Sequence, residues 1–160
     1  VPLIEALIDS GPLVAFYNED DSWHLVARKF FEGFKGKLIT TEPVATEVMY
    51  LLEADRRVQN EFLSDLHEEL FRIESLTVGD FKFIAELNEK YKSLPRDFAD
   101  LSILAVSLRL KLTNVVSLDS DFDIYRSLGK KFTNFFPKWE KSAGSQHVPR
   151  DEHIVAHPSD

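Results

Sequence analysis

Short apolar runs alternate along this chain with longer stretches of helical period. Residues 3–8 are mostly apolar and stop at Asp9-Ser10-Gly11-Pro12, the pattern of a buried strand ending in a polar turn. Over 22–34, Trp23, Val26, Ala27, Phe30 and Phe34 recur at helical spacing, with Ser22 placed to cap the first turn. Residues 37–40 predict a second strand, and Thr41-Glu42-Pro43 a helix start, where the missing N–H of proline costs nothing. Helical periodicity persists over 44–70 through Val48, Leu51, Leu52, Val58, Phe62, Leu66 and Leu70, interrupted by a turn within 53–57. A third strand is expected at 71–74. Phe81, Ile84, Leu87 and Tyr91 then mark a helix closed by Ser93-Leu94-Pro95. Phe98, Leu101, Ile103, Leu104, Ala105 and Leu108 mark a strongly apolar one. Strands at 114–118, stopping at Asp119, and at 131–136, ended by Pro137, complete the series.

Strands alternating with helices predict an α/β fold whose central sheet, of four to five mostly parallel strands, is covered on both faces. From 141 to 160 the chain turns to Ser, Gly, Gln, His, Pro and charge, which predicts a mobile tail after a single domain at 1–140. With 160 residues, 44% apolar and 13 Phe, the chain can bury a substantial core. The absence of Cys excludes disulfides, thiolate nucleophiles and Cys-ligated metal centres. No run reaches the roughly 20 apolar residues of a membrane span, and no charged-then-apolar leader is present. A cytoplasmic protein without a membrane partner is therefore expected.

Lys plus Arg number 19 and Asp plus Glu 27, a net charge of −8, which by itself opposes nucleic-acid binding. The placement of the acids changes that picture. Ligands of open parallel sheets bind beyond the carboxyl ends of the strands, and Asp9 and Asp119 each follow an apolar strand there. Glu47 lies one turn into the helix after the second strand. Asp97 and Asp100 share a face of the first turn of the apolar helix, and Asp121 follows Asp119 in a turn. Each also has a purely local use: Asp97 as an N-cap with Asp100 as its N3 partner, Asp9, Asp119 and Asp121 as turn formers, and Glu47 as a solvated helix position.

Local uses do not require the acids to share one edge, whereas clustered carboxylates stay ionised only around a cation. Oxygen ligands select hard ions such as Mg²⁺, which assist hydrolysis of phosphodiesters. Taking these six acids from 27 leaves 21 against 19 bases, so the objection from acidity largely disappears. Two rivals remain open: a Mg²⁺-dependent phosphatase, which lacks here a second acid two residues after Asp9, and a non-catalytic binding module.

The series Ile8-Asp9-Ser10-Gly11, Thr41 with Glu47, Asp97-Phe98-Ala99-Asp100 and Ser117-Leu118-Asp119-Ser120-Asp121-Phe122 resembles the PIN-domain nucleases. The nearest subgroup is the VapC-like ribonuclease toxins of toxin–antitoxin pairs, and the likeness covers residues 3–137. It implies a three-layer α/β/α PIN-like fold and a Mg²⁺ or Mn²⁺ site that cleaves RNA. The implied catalytic and metal-binding acids are Asp9, Glu47, Asp100 and Asp119, with Asp97 and Asp121 as secondary ligands and Ser10, Thr41 and Ser117 in support. It further implies an antitoxin partner or a homodimer contact on the helical hairpin at 51–70. The 141–160 segment has no counterpart in the family.

Of the basic pairs, Lys35 and Lys37 are the candidate substrate contacts, while Arg28-Lys29, Arg56-Arg57, Lys90 with Lys92 and Lys130-Lys131 read mostly as solvated faces. Trp23, Phe30, Phe31 and Phe34 have the types needed to stack on bases, but their spacing reads as core. His153 and His157, bracketed by prolines, read as tail rather than as a metal pair.

Overall fold

A computed structural model describes residues 3–138. Strand β1 (Ile4–Ile8) lies in the middle of a five-stranded sheet. On one side are β2 (Gly36–Thr40) and then β3 (Phe71–Ile73); on the other are β4 (Asn114–Val116) and then β7 (Thr133–Asn134). All four pairings are parallel, with Leu7 opposite both Ile39 and Val115. The helices are α1 (Ser10–Tyr17), α2 (His24–Gly33), α3 (Glu42–Leu51), α4 (Arg56–His67), α5 (Val78–Lys90) and α6 (Phe98–Leu110). Together with the sheet they make a three-layer α/β/α fold.

Burial explains the layering. In β1 and β2 the first two residues remain accessible and the last three are buried, so the sheet is driest at the carboxyl end, where the acids follow. The Thr40 hydroxyl donates to the Ile8 carbonyl at 3.0 Å and ties the two strand ends together. Helix α6 is buried without interruption from Ala99 to Ser107. Its apolar residues face all round because it packs against β1, α3 and α5. Arg109, near its end, donates to Asp80 of α5 and to the Ser75 carbonyl, and pairs with Glu74. No helix among the described residues is long and apolar enough to cross a membrane.

Three local expectations are corrected. Asp9-Ser10-Gly11-Pro12 is not a loop: Asp9 caps α1, and Pro12 sits in its first turn, where an N–H is not needed. Helix α2 starts at His24 with Trp23 as its N-cap, not Ser22. The turn before it is made instead by Asp21, whose carboxylate accepts the Trp23 N–H at 2.8 Å. The strand expected at 131–136 is divided. Lys130–Lys131 (β6) pairs antiparallel with Arg126–Ser127 (β5), and only Thr133–Asn134 joins the main sheet. Leu128 and Gly129 between β5 and β6 both have positive φ, 51° and 77°, as a two-residue hairpin turn of the primed type requires. The expected tail at 141–160 lies outside the described residues.

Candidate functional site

Strand order reverses at β1: the chain moves outward through β2 and β3, then returns to place β4 on the other side. That switch point opens a crevice beyond the carboxyl ends of β1 and β4. Asp9 ends β1 and Asp119 follows β4, so the topology alone brings residues 110 positions apart to the same crevice. Helix α6 adds Asp100 from its first turn. Carboxylate oxygens of Asp9, Asp100 and Asp119 lie within 4.8 Å of one another.

Each of these acids is held by its own backbone surroundings. Asp9 accepts the Ser10 N–H at 2.8 Å, and its second oxygen accepts the Ser117 hydroxyl at 3.2 Å. The same Ser117 oxygen accepts the Asp119 N–H at 2.9 Å, so one hydroxyl links two acids. Asp119 in turn accepts the Asp121 N–H at 2.8 Å as cap of a short 3-10 turn (Ser120–Asp123). Asp97 caps α6 by accepting the Asp100 N–H at 2.8 Å, and the Asp100 carboxylate completes the box by accepting the Asp97 N–H at 3.4 Å.

Gly11 permits the close approach of α1 to the loop after β4. A Cβ there would stand 3.2 Å from the Leu118 Cβ, so the Leu118 side chain would have to give by a few tenths of an ångström.

The remaining candidates fall around this centre. Glu47 on α3 is half-buried, interacts with the Ser10 hydroxyl and Asp97, and is close enough to Asp9 for its charge to raise the Asp9 pKa. Asp97 is exposed and Asp121 half-buried. Thr41 caps α3 and shares a 2.6 Å hydrogen bond with Ser102, whose hydroxyl donates to the Ala99 carbonyl. It therefore joins the helix carrying Glu47 to the turn carrying Asp100. Lys35 and Lys37 are not brought to the site. Lys37 lies opposite Glu5 in the β1–β2 register, about 10 Å along the strand from the carboxyl end. Trp23 is buried, and Phe30, Phe31 and Phe34 pack against the core.

The electrostatics follow from the crowding. Burial, then the charge of Glu47, pushes the Asp9 carboxyl up to about 8 against the lowering effect of the Ser10 N–H. Burial and then Asp9 push Asp100 up to about 10. Burial and Asp97 push Glu47 up to about 7. Carboxyls with such raised values are short of a counter-charge. An oxygen-only set of three, converging within 4.8 Å, fits a hard divalent cation.

Two residues that the sequence reading did not single out belong to this region. The Asn134 carbonyl oxygen accepts the Ser117 and Phe136 N–H groups, and its amide donates to the Ser117 carbonyl at 2.9 Å. It thereby clamps the loop that carries Ser117 and Asp119. An Asn within a β-rich run, where Asn is depleted, was the available signal. Tyr125 is fully buried, and its hydroxyl has no hydrogen-bond partner among the described residues. Burial first, then the charges of Asp100 and Asp119, hold its pKa well above the usual phenol range.

Residues 6–128 match the family model of the PIN domain. The chain belongs to the PIN-domain family. Its fold is similar to that of the Mycobacterium tuberculosis toxin VapC20, described as cleaving the sarcin–ricin loop. That match has a TM-score of 0.70 and 19% identity, over 79% of this chain and 98% of that one. It is also similar to a chain of Rickettsia felis VapBC2 bound to a DNA fragment from its promoter, with a TM-score of 0.56 and 15% identity, over 82% and 98% of the two chains. No curated protein matches by sequence.

Proposed function

We propose that this chain is a divalent-metal-dependent endoribonuclease, the toxin of a VapBC-type pair, acting in the cytoplasm. The observation that carries the reading is the convergence of Asp9, Asp100 and Asp119 within 4.8 Å at the sheet's switch point, in a chain of the PIN family. These three acids, with Glu47 beside them, would hold Mg²⁺ or Mn²⁺. Asp97 and Asp121 flank them as secondary ligands. When bound, such an ion stabilises charge on phosphoryl oxygens and acidifies water.

The chain's own part is positional. The Ser10 N–H and the Ser117 hydroxyl fix both oxygens of Asp9. Thr41, through Ser102, fixes the spacing of α3 and α6. Asp97 or Asp121, at the rim of the cluster, helps place the attacking water. The nuclease domain is assigned to residues 1–140. An antitoxin or a second copy docks on the α3–α4 hairpin.

Incubation of the full chain with mixed RNA and Mn²⁺ tests the reading. Cleavage that is abolished by EDTA and by Asp9→Asn is expected. Tight metal binding with no cleavage of any RNA pool would instead make the chain a binding module, and an active Asp9→Asn, Asp100→Asn double variant would sink the assignment.

A further inference from the structure

Phe98 is the first residue of α6, directly after the cap Asp97 and two before Asp100. Its ring lies nearly parallel to that of Phe81 on α5, with centroids 6.4 Å apart and planes 17° from parallel. Core rings such as Phe16 with Phe31 or Tyr17 with Phe62 meet edge to face, whereas Phe81 and Phe98 are 52% and 48% exposed. Val78, one turn before Phe81, is 90% exposed and continues the apolar surface. Phe98 opens the same helical turn that carries Asp100, so this surface lies at the end of α6 where the acids converge.

We propose that Phe98 and Phe81 form a stacking platform for an unpaired nucleobase flanking the phosphodiester held at the acidic centre. The inference rests on the ribonuclease reading above and adds how that substrate is gripped. Size favours a base over a protein: two half-exposed Phe rings offer about 200 Å², against roughly 800 Å² per partner in a stable protein interface. Charge favours stacking over phosphate contacts. Lys35 and Lys37, the two candidate phosphate contacts, stand at the far end of the sheet, so neither grips the backbone where the rings lie. Stacking is neutral and tolerates any base, because every base presents a π-face. Single-stranded or looped RNA is therefore the preferred substrate form, paired bases being unable to splay onto the rings.

The test is steady-state cleavage by the full chain in Mn²⁺, using a single-stranded oligoribonucleotide and the same oligomer with abasic sites flanking the cut. Phe98→Leu and Phe81→Leu are expected to raise KM about five- to a hundredfold with kcat unchanged. Phe98→Trp should retain the wild-type KM, and the Leu variants should cut the abasic oligomer no worse than wild type does. Wild-type KM in both Leu variants, on an RNA that the wild type cleaves, would overturn the platform and leave the ribonuclease reading intact. So would a change of oligomeric state in those variants, measured by sedimentation, which would make the rings a protein contact. A wild-type chain that cleaves no RNA would remove the ribonuclease reading and the platform together.

Discussion

Asp9 uses one carboxylate twice, as the cap of α1 and as a member of the acidic centre. Asp119 does the same for its 3-10 turn, while Asp100 closes the capping box of α6. Local capping and convergence on one centre are thus compatible in these acids, because a cap fixes a carboxylate in space before any ligand arrives. Crowding has a cost that substitution exposes. Asn at position 100 keeps an acceptor for the Asp97 N–H and, unlike Asp100, needs to take up no proton to be buried neutral. Asp100→Asn is expected to stabilise the metal-free protein by about 2 kcal/mol at pH 7, measured by denaturant unfolding in EDTA, while ending cleavage. Tyr125→Phe removes a buried hydroxyl that no described residue satisfies. It should raise stability by about 1 kcal/mol, and an unchanged or lower midpoint would show that the hydroxyl has a partner.

Elements recovered from the sequence are those whose pattern is long or bounded by distinctive residues. The break between α3 and α4, the apolar α6 and the strands β1 to β4 were all legible. Helix α1 was not. After its cap it runs Ser-Gly-Pro and then Leu-Val-Ala-Phe-Tyr, buried nearly throughout, so it shows no amphipathic period and its first turn imitates a loop. The β5–β6 hairpin was hidden because Leu128, rather than Asn, occupies a positive-φ position of its turn.

Of the site, the strand-end acids were readable from topology, but the hydrogen bonds that aim them were not. Asn134 is the example: its role depends on where β7 docks. Asn134→Ala deletes three hydrogen bonds to Ser117 and Phe136 and is expected to cost about 2 kcal/mol, with a disproportionate loss of metal affinity read by calorimetry. Arg109→Ala leaves buried Asp80 unpaired. It should cost a similar amount, about 2–3 kcal/mol, with metal affinity unchanged, since that network lies apart from the acids.

At the scale of the whole molecule, the raised carboxyls set how stability responds to pH and metal. In the unfolded chain these groups titrate near 4; folded, Glu47, Asp9 and Asp100 hold their protons up to about 7, 8 and 10. Between those limits the native state binds more protons than the unfolded one, so stability falls as pH rises. The metal-free melting temperature should therefore drop from pH 5 to pH 9, and Mg²⁺ or Mn²⁺ should restore it, with a larger shift at pH 8 than at pH 5. Saturation at a hundred times Kd contributes about 2.7 kcal/mol. A metal response equal at both pH values would break the link between the cluster and the cation.

Because β4 enters beside β1 only after β2 and β3 have been laid down on its other flank, the crevice cannot close until translation has passed residue 119. A growing chain that stops short of that point has Asp9, Glu47 and Asp100 but nothing to seat their last companion. The order in which the ribosome delivers the strands thus sets when the three carboxylates can first meet.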